Sequence, residues 1–386
     1  MSRMTNDRID GYREDLRVID DEILKQLQKR MDVSKLIALE KKEHGIPLQD
    51  PLAERERIDE ITEGSPDDMK IYNRLLFYAI SELSHDYQRQ YVQEESDLVR
   101  SIRKAMETTP NVFPKSAVVA CQGVQGSYSQ QAVDKFFKIP NIMYMKNFEG
   151  VFAAVDQGLC RYGVLPLENS TAGSVNQIYD LLTKYRFYIV RSSKVKVDHR
   201  LLTKPGTKKE DIHEIFSHEQ AVMQCENYLK NFPDARITVY GNTAAAARMV
   251  SESDRTDIAA LSSYECGALY GLECLEERVQ DSRDNYTRFI CVSKEPEIYP
   301  GANRTSIMFT TAHKPGSLYN VLARFYSLGI NISKLESRPI PSRDFDFRFY
   351  ADIDVEIYAD EFIRLMNQVN ELSQDFCYMG SYSEIE

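Results

Sequence analysis

A chain of 386 residues exceeds one ordinary domain, so two or three are expected. With 42% hydrophobic and 28% charged residues it reads as a soluble globular protein, and no apolar run approaches the roughly 18 residues that a membrane helix needs. The net charge of −11 excludes non-specific nucleic-acid binding, and an anionic ligand would need local positive groups to overcome that field. The charged start MSRMTNDRIDGYRED lacks the apolar core of a signal peptide, and seven scattered cysteines without a CxxC pair read as reduced thiols. A cytoplasmic location is expected.

Residues 7–103 read as helix. Leu16, Ile19, Ile23, Leu27, Met31 and Ser34 recur at steps of three or four, which predicts one long amphipathic helix from about Asp7 to Glu43. His44-Gly45-Ile46-Pro47 ends it. Asp50 before Pro51 predicts an N-cap opening a second helix, and Ser65-Pro66-Asp67-Asp68 opens a third, running to about residue 103. Arg30 and Lys41, eleven residues apart, share a face about 16 Å apart along the axis, so their side chains can converge on one small dianion. Arg13 lies about 25 Å from Arg30 and reaches that dianion only from an antiparallel partner helix. An intertwined homodimer is therefore expected. Ser84 and Gln88 form an i,i+4 pair on the third helix.

METTPNVFPKS (106–116) reads as a linker. Residues 117–293 then alternate strands, such as AVVAC, YGVLPL, ITVY, DIAAL and TRFICV, with helical runs at 174–185, 218–231 and 243–252. That alternation predicts an α/β architecture with largely parallel sheets, long enough for two lobes and a cleft. Small polar clusters stand at strand ends or helix starts, namely QGVQGSYS, ENSTAGS, FSHEQAVMQC, NTAAAA and DNYTRF. Open parallel sheets bind ligands at such places. Some of these residues read as helix caps, with Ser174 and Gln177 in a capping box, Ser217 with Gln220 in another, and Thr243 capping an alanine-rich helix. No nucleotide-binding or metal-ligand spacing is present, so no cofactor and no metal are expected. Glu168 is expected to face away from the cleft or to brace its loop.

KEPEIYPGANRT (294–305) reads as a second linker. The last segment follows as strand, helix, strand, strand, helix, strand, a small ferredoxin-like module. It carries Gly316-Ser317-Leu318 at a tight turn and Glu336-Ser337-Arg338-Pro339 at a strand exit.

With these residues in view, three resemblances emerge. The first segment resembles a chorismate mutase of the all-helical type, through Arg13, Arg30, Lys41, Asp50, Glu54, Ser84 and Gln88. The resemblance implies that arginines, one from the partner chain, clamp the two carboxylates, and that Lys41 and Gln88 donate to the ether oxygen. The rearrangement needs no acid, base or nucleophile; holding the compact conformer and stabilising charge on the breaking oxygen suffice. The sequence departs from the pattern at Gln49 and Ala53, where basic residues are common. The second segment resembles a prephenate dehydratase catalytic domain, through GSYS, LPLENSTAGSV, SHEQAVMQC and NYTRF. That implies a two-lobed fold like a type II periplasmic binding protein. Its site residues would be Asn169, Ser170, Thr171, Ser217, Gln224, Thr287 and Arg288. Ser127 and Thr243 are weaker candidates. Thr287 would orient or protonate the leaving hydroxyl, and Arg288 would anchor the pyruvyl carboxylate. The third resembles an ACT domain of the phenylalanine-sensing kind, which implies L-phenylalanine as effector at Gly316, Ser317, Leu318, Glu336, Ser337 and Arg338.

The expected domains are 1–105, 116–294 and 304–383. Their order resembles the bifunctional chorismate mutase–prephenate dehydratases. The implied partners are chorismate, prephenate, L-phenylalanine and further copies of the chain in a homodimer or higher oligomer, with no nucleic acid or membrane. Two rivals remain open here. One is a dehydratase whose helical segment is a weak mutase or only dimerises. The other is an amino-acid-sensing protein built on a binding-protein-like cleft.

Overall fold

The computed structural model describes residues 2–48, 50–92, 95–282, 284–340 and 346–386. Gln49, one of the two departures noted above, lies outside them. The chain divides into two compact units, Met1–Ser96 and Asp97–Glu386. No helix among the described residues is long and apolar enough to cross a membrane.

In the first unit, α1 (Ser2–Glu43) is a single helix of 42 residues, about 63 Å long at 1.5 Å per residue. Asp50 caps α2 (Pro51–Glu63) by accepting the Ala53 N–H at 3.2 Å, with Pro51 at the first helical position. The third helix, α3 (Lys70–Val92), packs against both α1 and α2. Leu16, Ile19 and Ile23 remain half or more exposed on α1, as do Leu75 and Leu76 on α3. An apolar stripe left in water at this length marks a face that a further helix would cover.

The reading of helix to residue 103 needs correction. The third helix stops at Val92, and a separate helix, α4 (Asp97–Thr108), belongs to the second unit. Its Ile102 and Ala105 are buried in a core with Ile307, Phe325 and Phe362 of the C-terminal module.

The rest of the second unit opens with a lobe of β1 (Ser116–Gln122), α5 (Tyr128–Phe136), β2 (Ile139–Met145), α6 (Phe148–Asp156), β3 (Tyr162–Asn169), the short β4 (Gly173–Ser174), α7 (Asn176–Tyr185) and β5 (Tyr188–Lys196). The chain then crosses to a second lobe. There β6 (Arg200–Thr203), β7 (Glu214–Ser217), α8 (Glu219–Gln224), α9 (Glu226–Leu229), β8 (Arg236–Val239), α10 (Thr243–Glu252), β9 (Ile258–Ser262), α11 (Tyr264–Tyr270) and β10 (Glu273–Glu276) form a sheet of order β10-β6-β9-β7-β8. It crosses back to enter β11 (Tyr286–Ser293), which lies antiparallel between β3 and β5 in the first sheet. Two crossings between two sheets give the expected two-lobed layout with a cleft.

The C-terminal module is β12 (Arg304–Thr310), α12 (Ser317–Ser327), β13 (Asn331–Pro339), β14 (Phe347–Asp354), α13 (Asp360–Leu372) and β15 (Asp375–Ile385), in sheet order β13-β14-β12-β15. The end of β15 also pairs in parallel with β5, Ser383 opposite Arg191, so one ten-stranded sheet runs through module and first lobe. Gly380 permits this. Its φ is +118°, and a Cβ there would sit 2.3 Å from the Ile189 carbonyl oxygen. Met308, Tyr350, Met379 and Tyr382 of the module are buried in the same core as Leu165, Ile178 and Ile290 of the lobe. The expected linkers are packed too, with Phe113 against Phe137, Tyr162 and Tyr299.

Candidate active site

A cavity of about 360 Å³ opens in the second unit where strand ends and helix starts of both lobes meet. The first lobe contributes Ser127, Tyr128 and Ser129 at the start of α5, Asn169 at the end of β3, and Thr287 and Phe289 on β11. The second contributes His218, Gln220 and Gln224 around α8, and Asn242 and Thr243 at the start of α10, while Val197 and His199 come from the crossing between them. No lysine, arginine, aspartate or glutamate is among these lining residues. The expected local cations are absent from the lining. The N-termini of α5 and α10 converge there instead, and their backbone dipoles favour an anion.

Asn169 organises the first-lobe wall. Its Oδ1 accepts the backbone N–H groups of Thr171 and Ala172, each at 3.0 Å. Backbone amides can only donate, so that atom is the oxygen and Nδ2 is the amide nitrogen. Nδ2 donates to Asn285 Oδ1 at 2.8 Å and to Thr287 Oγ1 at 2.9 Å. Thr287 stands opposite Asn169 in the β3–β11 register. Thr287 lines the cavity, and its oxygen accepts from Asn169.

Two histidines line the cavity. Burial pushes the His199 imidazole down to about 4 and lowers His218 as well. Near neutral pH the cavity therefore offers amides, hydroxyls, neutral imidazoles and helix starts.

Several expected residues lie elsewhere. Arg288 leaves β11 on the other face, donating to Asp352 at 2.6 Å and pairing with Glu168 at 3.0 Å. Burial opposes its charge, but Tyr382, Asp352 and Glu168 outweigh that and raise its pKa above the ordinary value. It anchors the C-terminal module and no ligand in the cavity. The Ser217 hydroxyl donates to the Leu261 carbonyl at 2.8 Å and is fully buried. Ser170 is likewise used up, donating to the Asp284 carbonyl and accepting the Tyr286 N–H. Thr171 donates to Asn169 Oδ1 at 2.7 Å and sits in an adjoining hollow with Gln280 and Asn285.

The capping expectations fail at three positions. Val175, without a side-chain cap, precedes α7; His218 caps α8; Asn242 caps α10. That frees Thr243 to line the cavity. Ser174 instead donates to Glu336 and accepts from Lys334, and Glu168, as expected, faces away to pair with Lys334 and Arg288.

The first unit brings its expected residues together in two groups. Arg30 donates to Ser84 Oγ between α1 and α3, burial holding its pKa below the ordinary value. One turn on, the Gln88 amide donates to the Ser34 carbonyl at 3.1 Å. Across α3, Glu54 accepts from the Asp50 N–H at 3.3 Å and meets His85 Nε2 at 2.8 Å. Lys41 donates to the Leu48 carbonyl at 2.7 Å. Arg13 is exposed and pairs only with Asp10 among the described residues.

The six residues marked in the C-terminal module separate. Ser317 and Leu318, after Gly316 at φ +83°, line a hollow of about 370 Å³ with Phe347 and Phe349. Ser337 stands opposite Phe349 in the β13–β14 register. Glu336 and Arg338 are tied to the first lobe, at Ser174 and at the Asn176 carbonyl.

Comparison with known proteins accords with this geometry. Residues 119–297 match the prephenate dehydratase family. The chain is 37% identical to arogenate dehydratase/prephenate dehydratase 1 of Arabidopsis thaliana over 68% of its own length and 71% of that protein. The chain belongs to the prephenate dehydratase family. Residues 12–89 match chorismate mutase type II. The bifunctional chorismate mutase/prephenate dehydratase of Aquifex aeolicus is 28% identical over 96% of both chains. A prephenate dehydratase from Arthrobacter aurescens, solved in complex with L-Phe, superposes with a TM-score of 0.63 at 27% identity, covering 69% of this chain and 89% of that one. The chain thus joins chorismate mutase and prephenate dehydratase, two steps toward phenylalanine. Neither the merely dimerising segment nor the sensing cleft accounts for both matches.

Sequence reasoning singled out neither Tyr128, inside GSYS, nor Asn285, inside NYTRF, and it missed His199 and Gln280, which stand between elements with no motif around them. The nearest signal for His199 is its place in VKVDHRLL, a polar break between two apolar runs.

Proposed function

We propose that the two activities work in series on one carbon skeleton, chorismate to prephenate in the first unit and prephenate to phenylpyruvate in the cavity of the second. In the cavity the ring carboxylate leaves as carbon dioxide. Its bonding electrons enter the ring as the hydroxyl departs with a proton, so water and phenylpyruvate result. Aromatisation supplies the driving force, so a weak proton donor suffices. Thr287 is that donor, and its oxygen regains a proton from solvent as the products leave. The observation that carries this reading is the Asn169 Nδ2–Thr287 Oγ1 bond, which occupies the Thr287 oxygen as an acceptor and leaves its proton for a ligand in the cavity. A lining without cations also suits the step, because a fully neutralised ring carboxylate would resist leaving.

In the first unit, Arg30 and the partner's copy of the Arg13 position clamp the dianion, while Lys41 and Gln88 donate to the breaking ether oxygen. Asp50, Glu54 and Ser84 complete the pocket. The exposed apolar stripe of α1 and the distance of Arg13 from Arg30 support a homodimer of crossed long helices. The C-terminal module acts as an ACT domain of ferredoxin-like topology, taking L-phenylalanine near Gly316–Leu318 and Ser337. Its ties to β3, β4 and β11 support feedback on the cavity.

The test is conversion of prephenate to phenylpyruvate by the purified chain, repeated with phenylalanine. Turnover that phenylalanine lowers, with a change in hydrodynamic size, is expected. Turnover and size both unchanged by phenylalanine would reject the regulatory part, and no turnover would reject the dehydratase part.

A further inference from the structure

His199 sits on the crossing between the lobes, 2% exposed, and lines the dehydratase cavity. Its backbone N–H donates to Gln280 Oε1 on the returning crossing at 2.9 Å. Nδ1 lies 3.3 Å from the Tyr128 hydroxyl, and Nε2 lies 3.1 Å from Gln224 Oε1. Which ring nitrogen carries the proton follows from donors whose identity is fixed.

Asn169 Oδ1 accepts two backbone N–H groups and so has no proton to give. Thr171 Oγ1, 2.7 Å away, must therefore donate its proton to it. That leaves Thr171 as an acceptor toward Gln224, whose near atom at 3.4 Å is then the amide nitrogen. The other end of Gln224 is the oxygen, and it faces His199 Nε2. An oxygen there requires Nε2 to bear the hydrogen and Nδ1 to be the bare nitrogen. The Tyr128 hydroxyl, which donates to the Asp198 carbonyl at 2.9 Å, then meets Nδ1 at 3.3 Å as a second and more distant acceptor. The second hydrogen of the Gln224 amide is left for the cavity.

We propose that His199 is a positioning residue of the dehydratase: its Nε2–H pins the Gln224 oxygen, so that the Gln224 amide presents N–H, and not C=O, to the bound carboxylate. A flipped amide would aim an oxygen at the anion and lose a hydrogen bond to a charged group. The imidazole must stay neutral and in one tautomer for this. The titratable groups facing it are Tyr128 from α5, Asp198 beside it and His218 at the start of α8. Burial outweighs the favourable pull of Asp198 on the imidazolium, keeping the ring uncharged near neutral pH.

The test uses the whole chain and two polar replacements. His199→Gln keeps an N–H donor at the reach of Nε2, whereas His199→Asn offers one only at the reach of Nδ1. With prephenate, His199→Gln should stay within about threefold of the parent KM, and His199→Asn should raise KM about tenfold or more with a smaller change in kcat. Equal KM values for the two variants would overturn the proposal. A second readout needs no functional variant. Nitrogen chemical shifts of labelled histidine in the unmodified chain should show His199 as the neutral Nε2–H tautomer at pH 7, its signal identified by its loss in His199→Gln. The Nδ1–H tautomer or an imidazolium would also overturn it. The inference rests on the dehydratase reading. An unmodified chain inactive on prephenate would remove that reading, whereas an active one with indistinguishable variants would remove only this role.

Discussion

Thr287 and Arg288, consecutive on β11, leave the strand on opposite faces: Thr287 meets Asn169 at the cavity, and Arg288 meets Asp352 of the C-terminal module at 2.6 Å. The neighbouring strand β3 repeats the arrangement, with Asn169 facing the cavity and Glu168 facing Arg288 and Lys334. The residue that positions the leaving hydroxyl is thus one peptide bond from the residue that fastens the module.

Removing that fastening should be costly. Arg288→Met leaves Asp352, itself buried, without its cation, and breaking a buried pair from one side costs about 3–5 kcal/mol. Denaturant unfolding should show a loss of this size. Stability unchanged within about 0.5 kcal/mol would show that the guanidinium does not hold the module.

Substitutions in the helical unit should separate the two activities. Lys41→Met should lower mutase turnover about 100- to 1,000-fold by deleting a donor to the growing oxyanion. Dehydratase turnover on supplied prephenate should stay unchanged, since Lys41 lies in a different compact unit from the cavity. Parallel loss of both activities would contradict the assignment.

Acid should weaken the second unit through His199. Its folded value of about 4 lies below the 6.5 of the free side chain. Between these values the unfolded chain binds the extra proton, so stability is lost as pH falls from about 6.5 to about 4 and is flat for this group outside that window. The loss is of order 3 kcal/mol. His218, lowered in the same direction, adds to the slope. Stability measured from pH 7 to 4 should fall less steeply in His199→Gln. An identical slope would place the titration elsewhere.

Element order and the location of the cleft were legible because they depend on periodicity and on where small polar residues cluster. Within those clusters the family resemblance, and not the pattern, pointed to Asn169, Gln224, Thr287 and, more weakly, Ser127 and Thr243, all of which line the cavity. Side-chain direction was not legible. Both faces of the central sheet are covered, so the pattern around Thr287 does not show which neighbour faces which side, and a register shift follows Arg288. Ser170 and Ser217 have the right chemistry, yet their hydroxyls serve the Asp284 and Leu261 carbonyls, which only tertiary structure brings near. The cap expected at Thr243 is Asn242, one residue earlier, and, for a similar tertiary reason, Ser174 does not cap α7. Ser174 is drawn to Glu336 and Lys334, 162 and 160 positions away.

Chorismate supplied at neutral pH to the whole chain carrying Thr287→Val reads both chemistries at once. Valine matches threonine in shape, and Asn169 keeps Asn285 and the Tyr286 carbonyl as acceptors, so the fold should persist. Prephenate should accumulate at the parent mutase rate while phenylpyruvate forms about 100- to 10,000-fold more slowly. Phenylpyruvate appearing at the parent rate, or chorismate left unconsumed, would contradict the serial assignment.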